Sequence, residues 1–77
     1  MKNWKNHIET NPEILYGKPV IKGTRISVDV ILEKMSCGQT FQEIIQSYPD
    51  LIEDDLYASL AYASSLIRNE VIKPLAS

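Results

Sequence analysis

The apolar residues of this chain change their spacing near residue 27, and the change separates two kinds of predicted structure. Before it lie two short apolar runs, Ile14-Leu15-Tyr16 and Val20-Ile21, with Gly17-Lys18-Pro19 between them. Because Gly permits unusual backbone angles and Pro fixes φ, this arrangement is typical of a small β-hairpin. Residues 1–13 are mostly polar and predict a leader ahead of the folded part.

After residue 27 the apolar spacing is helical. The first helix is predicted by positions i, i+3, i+4 and i+7, which share one helix face, here Val28, Ile31, Leu32 and Met35. Ser27 is a suitable N-cap and Gly38 a suitable helix stop. The second helix has the same spacing in Phe41, Ile44, Ile45 and Tyr48. Thr40 and Glu43 form a capping box at its start, and Pro49 ends it.

A third helix is predicted to begin near Glu53, where Glu53-Asp54-Asp55 places three negative charges at the positive end of the helix dipole. Its apolar stripe is Leu56, Leu60, Ala63 and Ile67, widened by Tyr57 and Ala61, and the helix is expected to reach Ile72 before Pro74. The sequence therefore predicts one mainly α domain. It consists of a leader over 1–13, a hairpin with three helices over 14–68 and a C-terminal extension over 69–77.

Composition narrows the possible chemistry. With one cysteine, Cys37, and one histidine, His7, the chain has neither an internal disulfide nor a Cys/His zinc site. Nucleophilic catalysis needs an activated cysteine or serine, and we interpret Cys37 as a small packing residue at a helix end. We expect no enzyme activity, no cofactor and no metal. No run approaches the roughly 20 apolar residues of a membrane span, and no signal peptide is evident, so we expect a cytoplasmic protein.

A chain of 77 residues is close to the lower limit for a self-sufficient core, so we expect a second chain to contribute burial. The apolar face of the third helix, together with Val71, Ile72 and Leu75 in the extension, is expected to pack against another chain. A symmetric homodimer is the simplest arrangement.

Charge is unevenly distributed. The net charge is −2, with a balance of +2 over residues 1–38 and −4 over residues 39–77. A contact with nucleic acid is therefore expected to use the first half. Lys18, Lys22 and Arg25 either form a basic wing along phosphates or are ordinary solvated residues, with Arg25 binding backbone carbonyls of its loop. Gln42 and Gln46 are spaced for pairing with adenine, although a solvated helix face is favoured.

Residues 38–56 have the spacing of a helix-turn-helix: a capped short helix, a tight connection containing Leu51 and a longer helix. In DNA-reading versions, the first residues of the second helix reach the base edges. Here those residues are Glu53-Asp54-Asp55, which repel phosphates. The spacing favours DNA binding, while the charge opposes it.

The segment Gly17-Lys18-Pro19-Val20-Ile21-Lys22-Gly23-Thr24-Arg25-Ile26 resembles the signature of the prokaryotic domain-of-unknown-function family numbered 433. Further matches follow it in order, Gly38, Glu43-Ile44, Tyr48-Pro49-Asp50-Leu51 and Ser59-Leu60-Ala61-Tyr62-Ala63, so that the resemblance covers residues 8–68. Two positions depart from the family pattern. Ser27 stands where Pro is common, and Ile52 stands where Thr commonly caps the third helix.

The resemblance implies a winged-helix-like, helix-turn-helix domain. It also implies an antitoxin of a type II toxin–antitoxin module that neutralises a PIN-like ribonuclease toxin by direct binding, and many such antitoxins also bind their own promoter. Because such toxins hold metal in a carboxylate-lined pocket, Arg25 or Arg68 is expected to approach that pocket. The expected partner surface is Arg25, Arg68, Ile67, Val71, Ile72 and Leu75. The alternative is a stand-alone DNA-binding regulator that acts as a dimer through Lys18, Lys22, Arg25, Gln42 and Gln46.

Overall fold

The computed structural model describes residues 3–69 of the chain. Its elements, in chain order, are two short strands, β1 (Ile8–Glu9) and β2 (Val20–Ile21), and three helices, α1 (Val28–Ser36), α2 (Phe41–Ser47) and α3 (Glu53–Asn69). Single 3-10 turns lie at Trp4–Asn6 and Leu15–Gly17. A small antiparallel sheet followed by three helices confirms the predicted fold class.

The first strand of the sheet differs from the prediction. β2 pairs with β1, placing Ile8 opposite Ile21, whereas Leu15 and Tyr16 lie in a turn with positive φ. The reason is that a two-residue strand carries no period-two pattern, so a single apolar residue inside a polar stretch gives no sign of pairing. Residues 3–13, expected to be a leader, are therefore part of the folded structure.

α1 and α2 begin and end near the predicted positions, and α3 begins at the predicted Glu53. At α2, the Thr40 hydroxyl accepts from the Glu43 N–H at 3.2 Å and the Glu43 carboxylate accepts from the Thr40 N–H at 2.9 Å, which confirms the capping box. Ser27 occupies the N-cap position of α1, but its side chain accepts no capping hydrogen bond. Gly38 follows α1 with a φ of +89°, a conformation suited to glycine after a helix end.

Aspartate organises the start of α3. The Asp55 carboxylate accepts from the backbone N–H of Ile52 at 3.0 Å, immediately before the helix. This is the bond by which the third residue of a helix caps the backbone N–H of the N-cap residue, and Ile52, having no polar side chain, provides no reciprocal cap. The predicted continuation to Ile72 lies outside the described residues.

The core lies where the three helices meet the sheet. Its buried apolar residues are Ile8, Val20, Ile21, Val28, Ile31, Ile44, Leu51, Leu56, Ala58 and Ala61. The Trp4 ring packs edge-to-face on Tyr62 of α3, with the ring centroids 4.8 Å apart. The N-terminal segment thus closes one side of the core.

The buried face of α3 also differs from the predicted stripe. Leu56 is buried, but Leu60 and Ile67 are 43% and 63% exposed. The helix instead buries small residues, including Ala58 and Ser59, which allow its backbone to approach the core closely. The Ser59 hydroxyl donates to the Asp55 carbonyl at 2.9 Å, which satisfies it inside the core.

Candidate functional site

A surface groove of about 400 Å³ lies beside the turn that joins the two strands. One wall comes from this turn and another from the start of α1. Its lining is Leu15, Tyr16, Lys18, Arg25, Ile26, Ser27, Val30 and Tyr48. The groove thus combines apolar and aromatic walls with two cationic side chains.

The turn at the groove is strained. Leu15, Tyr16 and Gly17 have φ angles of 49°, 58° and 83°, so two residues other than glycine adopt the left-handed conformation. That conformation costs an L-residue about 1–2 kcal/mol. The Tyr16 side chain is 101% exposed and gains no packing that offsets the cost. Strained residues of this kind cluster at functional sites.

Arg25 lies in a loop that other groups hold in place. The Thr24 hydroxyl donates to the Ile21 carbonyl at 2.8 Å and accepts from the Ile26 N–H at 3.0 Å. Arg25 is exposed and makes no ion pair or hydrogen bond within residues 3–69. Thr24, rather than Arg25, ties the loop to backbone carbonyls, so that part of the sequence interpretation was wrong.

Lys18, the second cation at the groove, forms a long, exposed ion pair with Asp29. Its Nζ lies 3.4 Å from Asp29 Oδ2, and both side chains are more than half exposed. The pKa of the Asp29 carboxyl lies below its ordinary value, chiefly because the Ser27 side chain hydrogen-bonds to it, with a smaller contribution from Lys18. Lys18 therefore offers a partner less uncompensated charge than Arg25.

The structure brings together only part of the residues predicted for DNA. Lys18 and Arg25 line one groove, whereas Gln42 and Gln46 lie exposed on α2 and are not among its lining residues. Lys22 is exposed directly after β2. Sequence reasoning missed Tyr16, because nothing in Leu-Tyr-Gly distinguishes a left-handed turn from the end of a strand.

The predicted partner residues divide between two regions. Arg25 lies at the groove, while Ile67 and Arg68 are exposed near the end of α3. The other three, Val71, Ile72 and Leu75, lie outside the described residues.

His7 and Cys37 both differ from their predicted settings. His7 Nδ1 lies 2.8 Å from Asp55 Oδ1, in a partly buried contact, instead of belonging to a free leader. Cys37 is the exposed C-cap of α1 and not a packing residue. Within residues 3–69, no three His, Cys, Asp or Glu side chains lie close enough to hold a metal ion. None of the helices in that same range is long and apolar enough to cross a bilayer.

Comparison with known proteins places the chain in a family. The family model described as "Protein of unknown function (DUF433)" matches residues 8–63. The uncharacterized protein y4eO of Sinorhizobium fredii is 26% identical over 58 residues, which cover 75% of this chain and 26% of that protein.

A solved structure resembles the fold as well. The crystal structure of a DUF433 member from Anabaena variabilis superposes with a TM-score of 0.76 at 28% identity, covering 83% of this chain and 63% of that one. The chain thus spans about a quarter of the curated relative and under two thirds of the solved one. Because the family model covers most of its length, the chain belongs to the DUF433 family of proteins of unknown function.

Proposed function

We propose that this protein is an antitoxin-like component of a type II toxin–antitoxin module, which neutralises a PIN-like ribonuclease toxin by direct contact. The observation that carries the proposal is Arg25, an arginine with no ion-pair partner among residues 3–69, beside a strained turn that presents a fully exposed Tyr16. On this proposal the protein acts in the cytoplasm, where free thiols such as that of Cys37 stay reduced.

Arginine and tyrosine are the residue types that most often dominate the energetics of protein interfaces. Tyr16 costs conformational energy in the free protein and contributes no packing there, so its contribution is expected in a complex. The groove between these side chains offers an apolar surface that a partner side chain can fill. The site therefore has the composition of a small interface centre.

The charge of Arg25 favours an acidic partner surface. A guanidinium presents a planar set of donors that binds a carboxylate through two parallel hydrogen bonds. A PIN-like toxin offers carboxylates in its metal pocket, and we expect Arg25 to enter that pocket. Lys18 is expected to contribute less, since Asp29 already offsets part of its charge.

The test is co-expression with the product of the adjacent open reading frame, after that product alone has been shown to arrest growth. Arg25→Ala is expected to weaken binding by about 30-fold, the loss typical of an interface hot spot of roughly 2 kcal/mol. Arg25→Lys is expected to recover little of it, because an ammonium lacks the planar geometry. Lys5→Ala removes an exposed cation from the N-terminal 3-10 turn and serves as the control.

Two outcomes of this co-expression experiment would contradict the proposal. If Arg25→Ala and Arg68→Ala, singly and together, still neutralise a demonstrated toxin as completely as the natural chain, neither arginine enters the pocket. If the adjacent product is not toxic and does not bind, the antitoxin function itself is excluded for that gene pair.

A second candidate function is transcriptional regulation by a dimer. It is supported by three exposed cations around the sheet, Lys18, Lys22 and Arg25. A winged-helix-like arrangement with a helix-turn-helix over α2 and α3 would use them as phosphate contacts. The acidic first turn of α3 opposes this function, since Glu53 and its neighbours would face the DNA.

A salt titration on the upstream promoter separates the two functions. DNA binding at about 50 mM salt that weakens steeply as salt is added supports the regulator function. Lys22→Ala is then expected to lower the slope of log K against log salt concentration by about one. Gln42→Ala and Gln46→Ala then test base reading, because they are expected to relax sequence preference without changing that slope. Absence of binding at the lowest salt excludes the regulator.

A further inference from the structure

The outer side of α3 carries a regular stripe that the core does not use. Its positions are spaced by 4, 3, 4 and 3 residues and comprise Glu53, Tyr57, Leu60, Ser64 and Ile67. This is the heptad spacing with which one helix packs along another. The three large members Tyr57, Leu60 and Ile67 are 42%, 43% and 63% exposed, although leucine and isoleucine are residue types most often buried.

We propose that this stripe binds the same stripe of a second copy of the chain, with the two α3 helices antiparallel about a two-fold axis at Leu60. The proposal does not depend on the function proposed above, since it uses none of the residues that line the groove. It fixes both the occupant of the stripe and the direction in which that occupant runs.

The sizes of the side chains favour this arrangement. With Leu60 on the axis, Leu60 packs on Leu60, and the stripe residue nearest to Tyr57 of each copy is Ser64 of the other, offset along the axis by about 1.5 Å. A large ring then lies over a small side chain, as interdigitating helix surfaces require. The Phe41 ring already holds the Tyr57 ring from one side, edge-to-face at a centroid separation of 5.0 Å. Tyr57 therefore presents a fixed surface.

The charges determine the direction of the second helix. Glu53 lies in the acidic first turn of α3 and Arg68 in its last turn, and both are exposed. Antiparallel pairing brings Glu53 of each copy to the end that carries Arg68 of the other, and it aligns the two helix dipoles favourably. Parallel pairing would instead bring the two acidic turns together, which is unfavourable.

Sedimentation of the full 77-residue chain tests the occupant. We expect a dimer at concentrations of about 100 μM and at least a tenfold weaker association for Leu60→Gln. Leu66→Gln is the matched control, because Leu66 is 45% exposed on the same helix but outside the stripe. A natural chain that stays monomeric over this range, or equal weakening by Leu60→Gln and Leu66→Gln, would overturn the proposal. Circular dichroism confirms that both variants fold.

Cysteine cross-linking tests the direction, in a Cys37→Ser background that removes the only natural thiol. Leu60→Cys is expected to form a disulfide-linked dimer, and a mixture of Glu53→Cys and Ile67→Cys chains is expected to form the mixed dimer, because Ile67 lies as far after the axis as Glu53 lies before it. Glu53→Cys chains alone are not expected to cross-link to each other. Residue 53 lies seven residues from the axis in each chain, so the two cysteines would be about 20 Å apart, which is beyond the reach of a disulfide. Efficient self-linking of Glu53→Cys would show parallel helices and overturn the antiparallel arrangement.

Discussion

Tyr16 combines a left-handed backbone with a side chain that makes no packing contact in the monomer. The left-handed backbone lowers the stability of the fold, whereas the exposed ring is available to bind a partner. Stability and binding therefore depend on different parts of this residue. At Arg25 the separation is similar: Thr24 holds the loop, and the guanidinium contributes no hydrogen bond to the described fold. Residues of this kind can be changed without disturbing the core.

We expect Tyr16→Asn to raise the free energy of unfolding by about 0.5–1 kcal/mol, because asparagine tolerates the left-handed conformation better than tyrosine. Tyr16→Ala keeps a β-carbon in the same conformation and is expected to leave stability within about 0.5 kcal/mol. Both variants are expected to weaken binding of the partner. Urea denaturation and a binding titration measure the two effects, and equal stability of the two variants would contradict the strain at this residue.

Asp29 gives a pH dependence whose sign is fixed. Because its folded pKa lies below the ordinary value of 3.8, its contribution to stability is present above that value and is lost as pH falls through the folded pKa. The effect is expected to be small, since the Asp29 side chain is 63% exposed. In urea denaturation, Asp29→Asn is expected to lower stability near neutral pH and to differ less from the natural chain in acid. The Ser27→Ala background is expected to reduce that difference, because Ser27 is the main cause of the lowered pKa.

At the scale of elements, one carboxylate joins α3 to the N-terminal segment. Asp55 accepts from the Ile52 N–H through one oxygen and contacts His7 Nδ1 through the other, and only 7% of the residue is exposed. Removing it leaves a helix-start amide without its bond and His7 without its partner. The acidic first turn of α3 occupies the position that reads DNA in a helix-turn-helix. Its third residue, Asp55, instead has a structural role.

We expect Asp55→Ala to lower the free energy of unfolding by about 2 kcal/mol, the sum of a lost capping interaction and a lost partly buried hydrogen bond. For a chain of this length, that corresponds to a fall in Tm of about 8–16 °C. His7→Ala removes one of the two contacts and is expected to cost about half as much. Thermal denaturation of the natural chain and the two variants measures these losses. If His7→Ala lost as much stability as Asp55→Ala, the contact between His7 and Asp55 would account for the whole loss and the bond to the Ile52 N–H for none of it.

The same elements show what the sequence can predict. The helices were predictable because caps and apolar spacing are local, as at Thr40 and Glu43. β1 was not, because two residues cannot show a period, and the inner face of α3 was not, because Ala58 and Ser59 are small and hydropathy gives them little weight. The candidate site was half predictable: Arg25 stood out by charge, whereas the strain at Tyr16 arises only when the chain must turn between β1 and β2.

At the scale of the whole molecule, the groove and the α3 stripe share no residue. The groove uses the turn between the strands and the loop after β2, whereas the stripe lies on the outer side of α3. Perturbations at separate, independent sites usually add in free energy. A dimer built through α3 would therefore present two grooves, and a partner that reached both would gain avidity without new contacts.

We expect this independence to be measurable in two variants. Leu60→Gln is expected to weaken the dimer at least tenfold while binding a monovalent partner with unchanged affinity per chain, because no groove residue is altered. Arg25→Ala is expected to lose the partner while keeping the dimer, because its side chain lies outside the stripe. Sedimentation together with calorimetric titration of each variant measures both properties. Loss of partner binding in Leu60→Gln would mean that the dimer and the partner use one surface, and that the groove at Tyr16 is not the principal contact.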